Sequence, residues 1–320
     1  AENREKIWDG EVVQQEHDKT EKIHGKNSHA SPTAIVDGDF VYVHFGTQGT
    51  ACLKTDGTIV WKNNELAYRP QHGNGGSPAL VDGMLVVSCD GSDVQYVVGI
   101  EAKTGEIKWK KSRPDPNRAQ RFSFSTPLVI EVDGRKQAIC PGTNVVVAYD
   151  PKTGDEIWSV KYTGYSVIPR PIYGNGLVFI GTGYNSPSLL AIRPDGKGDV
   201  TETHVAWQAS KSIPHTPSLL LVGEELYCVS DGGVGTCFDS RTGEVIWTKR
   251  LGGNYSASPL YADGHIYFQD EKGEGVVIQA GKTFEEIARN KLPGRTLASY
   301  GVVGKALLIR TDTALYRIEE

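Results

Sequence analysis

Histidine, arginine and aromatic residues carry most of the chemistry open to this chain, and they gather in a few stretches. His24-Gly25-Lys26-Asn27-Ser28-His29, Tyr68-Arg69-Pro70-Gln71-His72-Gly73-Asn74 and Arg118 through Arg121-Phe122-Ser123 are polar and aromatic together. A further histidine, His215, stands alone later in the chain. Imidazole titrates near neutral pH, so a histidine can pass a proton or ligate a metal. A metal site asks for more than His24, His29 and His72: there is no His-Glu-x-x-His spacing and no Cys-x-x-Cys, and Asp90 and Asp231 offer carboxylates only by analogy of position. Gly-rich phosphate loops, nucleophile elbows and paired carboxylates are missing too. No residue is therefore assigned a catalytic or metal-binding role. Between Lys110 and Thr126, Lys110, Lys111, Arg113, Arg118 and Arg121 face Asp115 alone, a charge that suits an anionic ligand or partner, or simply a solvated basic loop.

The elements that must position these residues are written as repeats. Lys54-Thr55-Asp56-Gly57-Thr58-Ile59-Val60-Trp61 returns at Ala102 to Trp109, at Pro151 to Trp158 and at Ser240 to Trp247. Trp207 ends a longer variant, and Gly281-Lys282-Thr283-Phe284 leading to Ala288 is a copy without the tryptophan; the successive steps are 48, 49, 49, 40 and 41 residues. Upstream of each copy lies Ser/Thr-Pro, an apolar run, a turn such as Asp82-Gly83 or Asp263-Gly264, and a second apolar run. Asp-Gly between β-branched runs is a hairpin signal, so each period supplies four strands. Thirty-seven glycines in 320 residues, against an average near 7%, agree with many tight turns.

A four-stranded antiparallel sheet repeated at this period makes a β-propeller. The expectation is an all-β, seven-bladed β-propeller over residues 1–320 as one domain. The last unit, from Ser299 to Ile318, has three strands, and the segment around Ile7-Trp8-Asp9 is expected to close the ring as its fourth. Eight blades are possible in a longer parent.

The phrase Ala148-x-Asp150-x-x-Thr153-Gly154-x-x-x-Trp158, with its counterpart Cys237-x-Asp239-x-x-Thr242-Gly243-x-x-x-Trp247, resembles the tryptophan-docking repeat of the PQQ-like propeller family. The resemblance covers nearly the whole chain and is nearest to uncharacterised secreted bacterial members. The family includes quinone-dependent alcohol dehydrogenases and a non-catalytic outer-membrane assembly lipoprotein. It implies an extracytoplasmic location, periplasmic or secreted, with the targeting segment absent from this chain. The chain lacks the vicinal cysteine pair and a recognisable calcium-ligand set of the family's enzymes and is much shorter. Cofactors are accordingly expected to be none, with PQQ and calcium only under an alternative enzymatic reading.

A net charge of -5 gives no pull toward nucleic acid, and no apolar run approaches a membrane span. Cys52, Cys89, Cys140, Cys228 and Cys237 read as free, packed strand residues. Function is expected on the loops that lead into each innermost strand. From the tryptophan position of each repeat to the Ser/Thr-Pro position of the next, the first three loops run 24, 17 and 18 residues and the others 13, 10, 12 and 12, so the first three are the elaborated ones. Aligned on that proline, the units read Ser31, Ser77, Thr126, Arg170, Thr216 and Ser258, and one position earlier Ala30, Gly76, Ser125, Pro169, His215 and Ala257, which makes Arg170 and His215 outliers. The candidate ligand-binding residues are His24, His29, Tyr68, His72, Arg118, Arg121, Arg170 and His215. The favoured reading is a monomeric, non-catalytic binding or scaffold propeller for a protein, peptide or glycan partner. The alternative is a channel-mouth enzyme, possibly a quinone-dependent oxidoreductase, with His215 as acid or base and Arg170 or Arg121 holding an anionic group.

Overall fold

The computed structural model describes residues 6, 8–14, 22–113, 122–184 and 186–319. The chain forms two compact units, Ala1–Ser159 and Val160–Glu320. Its sheets are the blades of a seven-bladed β-propeller, each laid down as consecutive antiparallel strands. The first unit carries blade one (Ile35–Asp37, Phe40–His44, Thr50–Lys54, Ile59–Asn63) and blade two (Ala79–Val81, Met84–Asp90, Gln95–Glu101, Ile107–Ser112). Blade three (Leu128–Val132, Arg135–Gly142, Val145–Tyr149, Glu156–Lys161) runs to the unit boundary. The second unit carries blade four (Ile172–Gly174, Leu177–Gly181, Leu189–Ile192, Val205–Ala209) and blade five (Leu220–Val222, Glu225–Val229, Val234–Asp239, Val245–Arg250). Blade six (Leu260–Ala262, His265–Gln269, Glu274–Gln279, Glu286–Lys291) and blade seven (Gly301–Val303, Ala306–Arg310, Leu315–Ile318) follow. Among the described residues the one α-helical segment is the single turn Thr201–His204.

Two turn chemistries close the first hairpin of each blade. Asp82-Gly83, Asp133-Gly134, Asn175-Gly176 and Asp263-Gly264 place both residues at positive φ, as a type I′ turn demands. In blade one Asp37 pairs with Phe40, so the loop is Gly38-Asp39, one residue later than the Asp-Gly pattern implies. Blades five and seven likewise put glycine first, at Gly223 and Gly304.

The repeated tryptophan is a blade-to-blade clamp. Trp61 donates from Nε1 to the Ala102 carbonyl at 2.9 Å and Trp109 to that of Pro151 at 3.0 Å. Trp207 does the same to Ser240 at 2.9 Å. Each indole lies on the turn glycine of the following blade: a Cβ added at Gly105 would sit 2.5 Å from the Trp61 ring, and one at Gly154 2.6 Å from Trp109. The Thr-Gly of the phrase thus supplies both a left-handed residue and the flat floor on which the preceding indole rests. Trp247 meets a turn without that floor and packs edge-on to Phe284 at 5.2 Å. Buried Trp158 donates instead to the Gln137 side chain of its own blade at 2.7 Å. Gly105→Ala should cost about 2–4 kcal/mol, the left-handed penalty plus overpacking. Gly134→Ala, also at positive φ but with open space around it, should cost only ~1–2 kcal/mol. Urea unfolding of the two variants separates the terms.

Blade seven has three strands among the described residues, and Ile7 lies outside them. Trp8 sits where the indole of a preceding blade's outermost strand belongs. It donates to the Thr55 carbonyl at 2.8 Å and lies on Gly57, while remaining 39% exposed.

The Ser/Thr-Pro repeat has a second structural role. Two residues before the innermost strand of blades two, three, five, six and seven a hydroxyl accepts the backbone N–H of the preceding blade: Thr33 to Ser77 at 2.8 Å and Ser77 to Thr126 at 3.0 Å in the first unit. In the second unit Arg170 donates to Ser218 and Ser218 to Ser258, each at 3.0 Å, and Ser258 to Ser299 at 2.9 Å. This corrects the proline alignment in blades one and five, where the equivalent residues are Thr33 and Ser218. Arg170 remains the one residue of the seven without a hydroxyl, whereas His215 falls in the preceding loop and is no outlier of that position.

His44 ends the second strand of blade one, buried, with Nδ1 2.8 Å from Thr50 Oγ1. Burial holds its pKa down at about 4. The unfolded imidazole takes up its proton near pH 6.5, so this contribution is intact above that pH and is lost as pH falls toward 4. Stability should fall by about 2 kcal/mol between pH 7.5 and 5, and His44→Gln should flatten that part of the melting-temperature profile.

Candidate functional site

Three stretches of the first unit meet at the end of its blades where the chain enters each innermost strand. Asn27 is the clip between the first two. Its Nδ2 donates to the carbonyls of His72 at 2.9 Å and Asn74 at 3.2 Å, while its Oδ1 accepts from Ser28 N at 2.8 Å and the Ser31 hydroxyl at 2.5 Å. His24 N also donates to the His72 carbonyl at 3.1 Å. His72 takes positive φ, which turns its carbonyl toward both donors. Tyr68 donates to Asn74 Oδ1 at 2.7 Å, and Asn74 Nδ2 reaches the Phe45 carbonyl of blade one at 3.3 Å.

Rings line the same face. His24 meets His72 edge to face at 5.6 Å, His72 meets Phe122 likewise at 5.6 Å, and Phe122 packs on Phe124 at 5.7 Å. Tyr68 stands edge-on to Tyr96 at 6.2 Å, with Lys110 Nζ 3.8 Å from the Tyr96 ring centroid. His24, Tyr68 and His72 are thus brought together. His29 is exposed nearby in sequence but joins none of these ring contacts. Arg118 and Arg121 lie outside the described residues.

Beneath this face a small cleft is lined by Tyr68, Asn74, Gly75, Gly76, Ser88, Asp90, Ser123 and Ser125 among others. Its floor is built by a buried ion pair. Arg113 Nε and Nη2 hold the two Asp90 oxygens at 2.6 and 3.0 Å, with side chains 0% and 1% exposed. The guanidinium also donates to the carbonyls of Cys140 at 2.7 Å and Pro141 at 3.3 Å and to Ser88 Oγ at 3.2 Å. Burial pushes the Asp90 carboxyl above the usual carboxylate range, opposed by the adjacent guanidinium. The basic stretch is therefore less available than its composition implies: Arg113 is internal, Lys111 pairs with Asp155 at 3.2 Å, and Lys110 caps Tyr96.

In the second unit Arg170 is exposed, and His215 N donates to Asp231 Oδ2 at 2.6 Å. The His215 ring lies 5.4 Å from that of Tyr184, and its Nδ1 is buried without a partner. All five cysteines are free and buried, with burial pushing the Cys140, Cys228 and Cys237 thiols up to about 12, so none presents a thiolate. No grouping of three or more His, Cys, Asp or Glu that could hold a metal ion occurs among the described residues.

Sequence reasoning named Asn27, Asn74 and Phe122 only as loop content. Their role depends on carbonyls and rings from other loops, and no local spacing announces that.

Comparison with known proteins gives a family and a fold. The family model described as outer membrane protein assembly factor BamB matches residues 1–206 and 198–283. BamB from Moraxella catarrhalis superposes over 88% of this chain and 82% of its own at a TM-score of 0.66 and 16% identity. The quinohemoprotein alcohol dehydrogenase ADHIIG from Pseudomonas putida HK5 superposes over 87% of this chain and 63% of its own at 0.63 and 15%. In sequence, methanol dehydrogenase [cytochrome c] subunit 1 of Methylorubrum extorquens is 30% identical over 162 residues, 43% of this chain, and the same subunit of Methylobacterium organophilum matches equally. The chain spans 24% of the length of those subunits.

Proposed function

The chain belongs to the family of the outer membrane protein assembly factor BamB, and from that premise we propose that it is a non-catalytic, extracytoplasmic propeller that binds a protein partner. The partner docks on the first unit's loop face. One observation carries the reading: the loops around His24, Tyr68–Asn74 and Phe122 are knitted by Asn27 and Tyr68 into a single ordered surface of rings and small polar groups. Preorganised rings beside hydrogen-bonding groups are what a protein interface needs, because little side-chain freedom is lost on docking.

The His72→Ala/Phe122→Ala variant removes two adjacent rings without touching the Asn27 clip. Capture of the partner from an envelope extract, quantified against the parent chain, should fall on the order of tenfold or more, the scale of a lost aromatic anchor. Unchanged capture would place the partner elsewhere. An Arg118→Ala/Arg121→Ala variant tests the two arginines expected on the third loop in the same way.

The stretch of methanol dehydrogenase similarity favours the second reading, a quinone-dependent oxidoreductase. The first unit's cleft does not fit that cofactor. Its free space takes about one water molecule, and Asp90, its one carboxylate, has both oxygens on Arg113. Incubation with PQQ and calcium should leave no bound chromophore after gel filtration; a retained quinone absorbance would reinstate the enzyme.

A further inference from the structure

Resting on the docking reading above, we infer that the first unit's loop face is a proton-operated latch, ordered for its partner while His24 and His72 are neutral and released when both are protonated. The two rings come from different loops and meet edge to face at 5.6 Å, and His72 packs in turn on Phe122 at 5.6 Å. Both histidines are exposed, so protons reach them without unfolding. That separates them from His44, which is buried and acts on the stability of the fold.

The contact is built for neutral imidazole. His24 Nδ1 accepts the Lys26 N–H at 3.2 Å, which only an unprotonated ring nitrogen can do. The main chain of His24 ties that ring to the Asn27 clip: its N–H donates to the His72 carbonyl at 3.1 Å, and its carbonyl accepts from Asn27 N at 2.8 Å. Asn27 Nδ2 then donates to the carbonyls of His72 and Asn74. Protonation of His24 sets an N–H against the Lys26 N–H, and protonation of His72 adds a second cation at the distance of the ring contact.

No carboxylate of the packed segments offsets those charges. Among the described residues 22–31, 68–74 and 122–126, the other groups that are charged or titrate below pH 8 are Lys22, Lys26, His29 and Arg69. Asp93, from the neighbouring link of blade two, uses Oδ1 on the N–H groups of Arg69 and Val94 at 2.6 and 2.8 Å. Asp90 keeps both oxygens on Arg113. Imidazole changes charge between about pH 5 and 8, so the latch holds at pH 7.5 and opens as pH falls to 5.5. A partner docked on the neutral rings is shed on acidification.

Pulsed hydrogen exchange on the full chain, read by mass spectrometry and corrected for the intrinsic pH dependence, tests the latch without a partner. Protection of residues 24–31 should fall about tenfold from pH 7.5 to pH 5.5, whereas the third strand of blade two, Gln95–Glu101, should keep its protection at both. The His24→Gln/His72→Gln variant, neutral throughout, should change by less than about twofold over that range. Partner capture from an envelope extract should fall on the order of tenfold in the parent over the same range, and by less than about twofold in the variant whatever it captures at pH 7.5. Parent loop protection that ignores pH, an equal fall in the variant, or parent capture independent of pH would each overturn the latch. Capture at pH 7.5 unmoved by His72→Ala/Phe122→Ala would defeat the docking reading, while the exchange comparison still decides the latch, so the two fail separately.

Discussion

Asp90→Asn should destabilise the protein by ~3–5 kcal/mol, because it leaves the Arg113 guanidinium in the interior with no counter-charge. Arg113 then keeps its carbonyl acceptors at Cys140 and Pro141 but loses the bidentate partner that neutralises it. The pair itself need not be a large net stabiliser, since removing two charges from water costs about as much as their attraction returns. The double variant Asp90→Leu/Arg113→Met should therefore recover much of the loss. Thermal melts of the parent, the single and the double variant test this; a single variant within ~0.5 kcal/mol of the parent would mean that water reaches the pair. The consequence extends to the loop face, because Asp90 lines the cleft and Arg113 anchors the base of the third elaborated loop.

Trp109→Ala should cost a comparable ~3–5 kcal/mol, the usual penalty for deleting a buried indole. Trp109 stacks on Tyr149 at 6.2 Å, rests on Gly154 and donates to the Pro151 carbonyl, so its loss opens a cavity between blades two and three. Trp8 makes the same hydrogen bond and lies on Gly57, yet it is far more exposed, so Trp8→Ala should cost only ~1–2 kcal/mol. Chemical denaturation of the two variants ranks the clamps; equal losses would show that the N-terminal segment is held as firmly as an internal blade.

The blades were legible because their signals are local. A Thr-Gly turn needs positive φ at a fixed place, an Asp-Gly loop fixes a hairpin, and tryptophan recurs at blade spacing. Register was less legible. Proline marked the start of blades two, three, four and six correctly, but in blades one and five the equivalent residue lies two further on, at Thr33, whose N–H donates to Ser77, and at Ser218, whose hydroxyl accepts from Arg170 N. Only strand pairing shows that. The site was legible as loop length and composition, which drew attention to His24, Tyr68 and His72. It was not legible as connectivity: Asn27 works through carbonyls 45 and 47 residues away. Arg113 reads as one more surface cation until Asp90, 23 residues upstream, is found beside it.

The central claim is that the first unit's loop face docks a protein. Site-specific photo-crosslinking tests it most directly, with the reactive side chain placed at exposed Gln71 on that face or at Asp133 in the first hairpin turn of blade three, at the other end of the strands. A discrete crosslinked partner from position 71, lost on adding His72→Ala/Phe122→Ala, and none from position 133 is the predicted result. The same partner crosslinking from position 133 and not from 71 would contradict it.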